Sequence, residues 1–375
     1  MNLEKNHESV GVLVCPVTKL DLELVTLETA EERVKGKLIS RVDSLNAKGK
    51  VSKPAGPTPL VLLRKDLKCA YPVVDGIAVL LAPEALSTTQ DQKMFDLTDP
   101  RYAEAYEEME FYNSVASAAS EKLNAGGAVS ILPTELAATK EERDSFPAPW
   151  SRWVDTVHDS ASLWDAYVHL GALKNGKVLQ LGGSGTHVIK FAFAGAAESW
   201  LITPMLGEAL MARGLAESAG VGGQFRCVVA IAEELPIRSG NFDAVFAGGC
   251  LHHMQTDLAL PEAARVLREG GRFAAVEPWR APLYAIGTKL LGQREDAYCR
   301  PLTPERIKPL KEAFKKSHVL QHGTITRYGF LALEKFGINV SKYIPWYVGK
   351  VDDAICSIIP GLRGMGSSIA VLADK

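Results

Sequence analysis

Side chains that can transfer protons follow the strands predicted in the second half of the chain. His187 comes directly after a glycine cluster, His252 and His253 follow the apolar run FDAVFA, and Glu277 ends the run RFAAVE. Open α/β sheets bind ligands at the carboxyl ends of their strands. A base is needed wherever a reacting group must lose a proton. These four residues are therefore the candidates for catalysis.

Other roles are open to the same residues. Cys250 stands two positions before His252, but side chains at that spacing do not face each other on a helix, so a nucleophilic pair is disfavoured. His187, His252 and Glu277 could converge on a metal ion, yet nothing in their spacing demands it, and we predict no metal. One of the paired histidines can also pack structurally, and His187 can be a surface residue of a first helical turn.

The element that must position these residues is KVLQLGGSGTHVIK, residues 177–190. An apolar run stops at Gly182, Gly183 and Gly185 and resumes as a helix, which is typical of a strand, a tight turn and a helix N-terminus that holds a nucleotide. Glycines let a ligand approach the backbone, and the helix start offers N–H donors. An ordinary turn that binds nothing is the alternative. The chain has no GxxxxGK[ST] string, and Val188 stands at the last position of G-x-G-x-x-G, so a P-loop and an NAD site are disfavoured.

Strand-like and helix-like segments alternate beyond this motif, as a doubly wound sheet requires. The closing segment 366–374 is predicted as an antiparallel edge strand. We therefore predict an α/β fold with a mostly parallel sheet of seven strands. The other predicted strands are 199–203, 225–232, 241–247, 272–277 and the HVLQHGTI segment, and the predicted helices include 206–220, 259–271 and the TPERIKPLKEAF segment.

The first half of the chain is predicted to be rich in β structure and then helical. Residues 10–27 alternate as a hairpin, residues 28–59 are polar and predicted as a loop, and Asp75-Gly76 marks a turn between two apolar runs. A helix begins at Asp99-Pro100, and its aromatic residues face either the core or a substrate pocket as a lid. The predicted units are a small β-rich domain, a helical linker and a doubly wound domain, at residues 1–90, 91–165 and 166–375.

Composition and charge bear on whether the protein binds nucleic acid or a membrane and on its cellular compartment. The chain has 375 residues, 47% of them apolar, and a formal charge of −2, which disfavours a protein built mainly to bind nucleic acid. Its six cysteines are scattered, its N-terminus lacks the pattern of a secretory signal, and no apolar run is long enough to cross a bilayer. We expect a cytoplasmic protein without a membrane partner; the sequence leaves the oligomeric state open.

Three stretches resemble the class I S-adenosylmethionine-dependent methyltransferases of small molecules: VLQLGGSGTHVIKF, AEELPIRSGNFDAVFAGGCLHHM and ARVLREGGRFAAVEPW. The similarity spans about residues 165–375. It implies methyl transfer with S-adenosylmethionine (SAM) as cofactor. The SAM-binding residues implied by the resemblance are Gln180, Gly182, Gly183, Ser184, Gly185, Thr203, Met205, Ile231, Ala232, Glu233 and Gly248.

The chain differs from this family at the positions where the family has acidic SAM-binding residues. Gln180 stands where the first strand usually ends in Asp or Glu, residues 202–205 contain no ribose-binding acid, and Ile231 replaces the acid that accepts from adenine. Each lost charge-assisted hydrogen bond costs about 1.5–3 kcal/mol. The prediction is a small-molecule methyltransferase with an atypical SAM site. The alternatives are another donor or acceptor such as tetrahydrofolate, and a non-catalytic binding protein that has lost the cofactor.

The N-terminal residues resemble a second family. CPVTKLDL and YPVVDGIAVLL are similar to the small zinc-ribbon-like protein that activates several tRNA and protein methyltransferases. Zinc-binding members need four ligands for a closed tetrahedral site. Here Cys15 and Cys69 stand near the expected places, with Thr18 at the position of another ligand. We therefore predict no zinc and a structural role for this domain, as a cover over an apolar surface.

Overall fold

The structure of the protein is a computed structural model. It describes residues 10–40, 59–88, 99–124, 140–148, 153–154, 159–282, 284, 286, 300–324, 333, 336–338 and 344–375. Most of the predicted loop 28–59, parts of the predicted helical linker 91–165 and most of residues 325–343 lie outside these ranges.

The N-terminal strands form an antiparallel group. β1 pairs with β3, β3 pairs with β4, and β6 pairs with both β2 and β4. The predicted turn at Asp75-Gly76 is confirmed: it joins β4 to β5, with positive φ angles of 48° and 75° that suit a two-residue hairpin. The strands are β1 Leu22–Thr26, β2 Ile39–Ser40, β3 Leu60–Arg64, β4 Ala70–Val74, β5 Ile77–Val79 and β6 Leu86–Ser87.

Two predictions for this region are wrong in part. The predicted loop begins with helix α1, Leu27–Val34, because Thr26 caps it by accepting the N–H of Thr29 at 3.2 Å. The predicted hairpin within residues 10–27 is reduced to a single bridge between Val14 and Asp21, since β1 takes β3 as its partner.

Three helices lead to the second half of the chain: α2 Pro100–Asn124, α3 Lys140–Asp144 and α4 Ser160–Leu170. α2 starts where the sequence predicts, and a carboxylate oxygen of Asp99 accepts the N–H of Arg101 at 3.0 Å. Tyr102 and Met109 are buried in the core, as the amphipathic pattern predicts. Another face of the same helix therefore remains available for the site described below.

The central sheet has the strand order β9-β8-β7-β10-β11-β13-β12. All its pairs are parallel except those of β13, which runs antiparallel to β11 and to β12. These seven strands have the predicted, mostly parallel arrangement, but the sheet does not end with them. β5 pairs in parallel with β9 and so joins β4, β3 and β1 to the same sheet. The strands are β7 Lys177–Leu181, β8 Glu198–Thr203, β9 Phe225–Val229, β10 Phe242–Gly248, β11 Leu267–Pro278, β12 Lys316–His322 and β13 Ser368–Asp374.

Two boundaries in this sheet differ from the prediction. The last strand is not the edge, because β12 pairs with the outer side of β13 and takes the edge position. The helix predicted at 259–271 spans Thr256–Val266, since Leu267 already pairs with Phe242 as part of β11. The other helices are α5 Thr186–Phe193, α6 Leu206–Ser218, α7 Thr256–Val266, α8 Leu310–Ala313 and α9 Ile344–Ile358, of which α8 is much shorter than predicted.

One apolar core joins the N-terminal strands to the central sheet. Cys15, Leu62 and Tyr71 belong to the same buried cluster as Leu179 and Trp200. The N-terminal strands therefore share a hydrophobic core with the central sheet. None of the helices in the described ranges has the length and apolarity needed to cross a membrane.

Candidate functional site

A cavity of 430 Å³ lies at the carboxyl ends of β7 to β10. This volume is in the range of small-molecule sites. Its wall combines the glycine loop, the residues that follow β8, β9 and β10, and one face of α2. It is lined by Arg101, Glu104, Ala105, Glu108, Tyr112, Val115, Gln180, Gly182, Gly183, Ser184, Thr186, His187, Thr203, Pro204, Met205, Glu208, Ile231, Ala232, Glu233, Gly248, Gly249, Cys250, His253 and Met254.

The glycine loop forms the floor, and close packing explains its composition. Gly182 has a φ of +72°, and a Cβ there would lie 2.7 Å from the Cβ of Cys250. Gln180 braces the loop, since its Nε2 donates to the carbonyl of Gly182 and its Oε1 accepts the N–H of Val188, both at 2.8 Å. Both ends of this buried amide are used inside the protein, so Gln180 shapes the loop.

A carboxylate stands beside the end of β8. The hydroxyl of Thr203 donates to Oε2 of Glu208 at 2.6 Å, and Glu208 is only 9% exposed. Burial raises the pKa of Glu208, and the hydrogen bond from Thr203 offsets part of that effect. Glu208 is not among the predicted binding residues. Its position one turn into the helix after β8 is the signal that could have found it.

A second carboxylate lies beyond β9. Ile231 and Ala232 line the cavity as predicted, and so does Glu233, which accepts the N–H of Gln255 at 2.8 Å. Burial raises the pKa of Glu233 to about 7. The next residue, Glu234, instead receives hydrogen bonds from Tyr102 and Arg101 of α2. The cavity thus contains two acids whose neutral forms are favoured by burial.

Two of the four predicted catalytic residues line the cavity. The Nδ1 atom of His187 lies 2.7 Å from the hydroxyl of Tyr167, and that of His253 lies 3.1 Å from Oε1 of Glu104. In each case one ring nitrogen has a partner that can fix the tautomer. The structure therefore places an oriented histidine on each side of the cavity.

The other two predicted catalytic residues lie behind the wall. Glu277 is 1% exposed and accepts the backbone N–H groups of Cys250, Leu251 and His252 at 2.8–3.3 Å. His252 Nδ1 lies 2.7 Å from the same carboxylate. This pair fixes the loop after β10. Gly185, predicted to bind the cofactor, is also absent from the wall, and a Cβ there would lie 2.7 Å from the Cβ of Ala212.

Cys250 is on the wall but is not activated. Its thiol donates to the carbonyl of Gly248 at 3.4 Å, and burial, followed by the nearby charge of Glu277, raises its pKa well above the usual value. A nucleophile would need the opposite shift.

The roof of the cavity is the face of α2 that carries Glu104, Glu108 and Tyr112. These residues are spaced by four, so they share one helix face. Tyr102 and Met109, by contrast, are buried in the core. Tyr112 thus lines the cavity and Tyr102 packs in the core, and the role of this helix as a lid stays a prediction. The two carboxylates over the cavity were missed by sequence reasoning.

The N-terminal cysteines are buried together with a cation. Cys15 Sγ lies 3.2 Å from the hydroxyl of Tyr71 and 3.9 Å from Nη1 of Arg64, a side chain that is 1% exposed. The pKa of Cys69 is raised to about 12 by burial. Two thiols beside a buried guanidinium do not fit the closed set of four ligands that a structural zinc ion requires.

Two solved structures align with about two thirds of this chain at low TM-scores. A geranyl diphosphate C-methyltransferase from Streptomyces coelicolor, in complex with Mg²⁺, geranyl diphosphate and S-adenosyl-L-homocysteine, aligns with 64% of this chain and 88% of its own, at 13% identity and a TM-score of 0.44. A protein from Galdieria sulphuraria that is assigned as a sarcosine dimethylglycine methyltransferase aligns with 64% of this chain and 92% of its own. The identity is 14% and the TM-score is 0.41.

Closer sequence similarity is confined to shorter segments. The ubiquinone/menaquinone biosynthesis C-methyltransferase UbiE of Methylobacterium nodulans is 36% identical over 99 residues, which are 26% of this chain and 39% of the relative. The protein of the same name from Rhizobium johnstonii is 44% identical over 63 residues, 16% of this chain and 24% of the relative. The chain therefore matches well under half the length of these curated relatives.

Residues 180–275 match the sequence profile of the methyltransferase domain family. This segment contains the glycine loop, the strands β8 to β10 and most of β11, and it supplies most of the cavity wall. The part of the chain that builds the floor of the cavity is therefore similar in sequence to methyltransferase domains.

Proposed function

We propose that this cavity binds SAM over the glycine loop and that the protein transfers its methyl group to a small molecule. The observation that carries the proposal is the pair of carboxyl groups of Glu208 and Glu233 on the wall beside that loop. A SAM site needs acceptors for the ribose hydroxyls and the adenine amine. These two groups supply hydrogen-bond acceptors, whereas residues without a carboxylate occupy the positions of the family's usual acids.

Glu208 is the proposed ribose ligand. The family acid ends the second strand, and here that strand ends at Thr203, whose hydroxyl holds the Glu208 carboxylate at 2.6 Å. A carboxylate can accept two hydroxyl hydrogen bonds at once. The acid is thus moved from the strand to the following helix while it still faces the cavity.

Glu233 is the proposed adenine ligand. It stands two residues after Ile231, which occupies the usual acid position, and both side chains line the cavity. One oxygen of Glu233 accepts the N–H of Gln255, which fixes the orientation of the carboxyl group.

His187 and His253 are the proposed bases for an acceptor that must lose a proton. Methyl transfer depends mainly on in-line positioning of donor and acceptor. Both histidines line the same cavity as the glycine loop, and each is oriented through Nδ1. The names of the curated relatives specify C-methylation; for this chain we propose a small-molecule acceptor within the cavity.

The N-terminal residues 1–90 are proposed to act as a built-in cover, joined through residues 91–165 to the methyltransferase domain at 166–375. The resemblance to an activating subunit supports this role, as does the buried cluster that Cys15 and Tyr71 share with Trp200.

Isothermal titration with SAM, S-adenosylhomocysteine and tetrahydrofolate tests the proposal. We expect micromolar binding of the two adenosyl compounds. The Glu208→Gln variant should bind them about 10- to 100-fold more weakly, because hydrogen bonds to a charged group contribute about 1.5–3 kcal/mol. Glu217→Gln on the exposed part of α6 is the matched control and should bind as the wild type does.

Failure of both adenosyl compounds to bind the folded protein would contradict the proposal. Binding of tetrahydrofolate instead would indicate another methyl carrier, and binding of none of the three would favour a non-catalytic role. Equal affinities of the wild type and Glu208→Gln would leave SAM binding in place but remove Glu208 from the site.

A further inference from the structure

Three side chains able to bind a metal meet at the roof of the cavity. Nδ1 of His253 lies 3.1 Å from Oε1 of Glu104 and 3.5 Å from Oε2 of Glu108. One ligand atom from each residue lies within 4.8 Å of the others, and no other such group of three occurs in the described ranges of the chain. The distances are those of neighbouring ligands around one ion.

Two separate elements hold these residues in place. Glu104 and Glu108 are four residues apart on α2, so both carboxylates face the same side of the helix. His253 belongs to the short 3-10 helix Leu251–His253, which Glu277 braces by accepting the N–H groups of Leu251 and His252. The arrangement is therefore fixed from both sides of the cavity.

Two carboxylates approach one imidazole nitrogen in this arrangement. The Nδ1 atom of an imidazole carries at most one proton. The second oxygen of Glu104 accepts from Nη2 of Arg300 at 2.9 Å. Such a partner typically orients a ligating carboxylate from outside the metal's own shell. A divalent cation would offset the repulsion between the two glutamates directly.

We infer that Glu104, Glu108 and His253 form a binding site for a divalent transition metal ion. Carboxylate and imidazole ligands together suit Mn²⁺, Fe²⁺ or Zn²⁺ better than Mg²⁺, which prefers oxygen ligands. Three protein ligands leave coordination positions open toward the cavity. Resting on the proposed function, the ion's role is to bind an oxygen of the methyl acceptor and to stabilise negative charge there. With the ion bound, His253 serves as its ligand, and His187 is the remaining proposed base.

Direct metal binding tests this site without any assay of methyl transfer. The full-length protein, stripped with a chelator, is titrated with Mn²⁺, and free Mn²⁺ is followed by electron paramagnetic resonance. We expect one saturable site per chain. Glu108→Gln and His253→Gln should each weaken binding at least about tenfold, since even residues outside the metal's own shell change affinity by 10- to 100-fold. Zn²⁺ should compete with Mn²⁺ far better than Mg²⁺ does.

Glu107→Gln is the matched control, because Glu107 is exposed on the same helix and does not line the cavity. It should bind Mn²⁺ as the wild type does, and circular dichroism confirms that each variant is folded. Absence of a saturable site in the wild type, or unchanged Mn²⁺ affinity in both Glu108→Gln and His253→Gln, overturns the inference. If the wild type also binds SAM with micromolar affinity, either of these Mn²⁺ results rejects the metal site alone and leaves the proposed function intact.

Discussion

Two kinds of carboxylate lie near the carboxyl ends of the central strands. They differ in how much of their hydrogen-bonding capacity other groups of the protein use. Glu277 receives three backbone N–H groups and faces the imidazole of His252. Glu208, which is 9% exposed, receives the hydroxyl of Thr203, and Glu233 on the cavity wall receives backbone N–H groups but faces no imidazole. An acid whose acceptor capacity is filled from within holds the fold together, whereas an acid left partly unfilled beside a cavity is suited to a ligand.

The largest effect is expected from Glu277→Ala. This change leaves three buried N–H groups and the His252 ring without their acceptor, and removing one partner of a buried pair costs about 3–5 kcal/mol. Urea denaturation at pH 7 should show that loss in the free energy of unfolding. Glu277→Gln, which keeps one carbonyl acceptor, should lose less. If Glu277→Ala were as stable as the wild type, the contrast with Glu208 would fail.

An intermediate effect is expected from the pH dependence of Glu233. Because its pKa in the folded protein is raised to about 7, above the ordinary value of 4.5, folding favours the neutral form. Its contribution to stability is fully present below about pH 4.5 and is lost as the pH rises through about 7. The free energy of unfolding should therefore fall less between pH 5 and 8 in Glu233→Gln than in the wild type.

Two further measurements sharpen this prediction. The exposed variant Glu217→Gln should retain the pH slope of the wild type. A ligand that donates a hydrogen bond to ionised Glu233 favours the charged form, so saturating SAM should reduce that slope in the wild type. An identical slope in the wild type and Glu233→Gln would mean that other groups control the pH dependence.

The smallest effect is expected from His252→Asn. This substitution removes the ring that faces Glu277 but leaves the three backbone donors in place, so we expect a loss of about 1 kcal/mol in the free energy of unfolding. SAM affinity should stay within about twofold of the wild type, because His252 does not line the cavity. A large loss of binding without a loss of stability would instead return His252 to the functional site.

Local sequence signals predict which residues lie at the strand ends. The glycine loop and the strand ends depend on residues close together in the chain, and Gly182, Thr203 and Ile231 lie on the cavity wall. That they bind a cofactor stays a prediction. Glu277 was predicted to be catalytic because it ends a strand. Its partners in the structure are backbone N–H groups of another loop together with the ring of His252, and no side-chain pattern reveals the backbone partners.

The roof of the site depends on contacts between distant parts of the chain. Glu104 meets His253 across 149 positions, and the spacing of charges on α2 indicates a shared helix face without indicating what that face contacts. The same reason explains two wrong predictions, the hairpin within residues 10–27 and the edge position of β13. Strand patterns are visible in the sequence, but the choice of neighbour depends on packing elsewhere.

The pairing of β5 with β9 has a consequence for how the chain folds. Ala78 lies opposite Val228, so this contact must wait until some 150 further residues have been made. Contacts between such distant segments are slow to form, and an unpaired strand edge is prone to aggregate in the meantime. During synthesis the edge of β5 therefore stays unpaired until β9 has been made. A chaperone that shields this edge should raise the yield of folded protein.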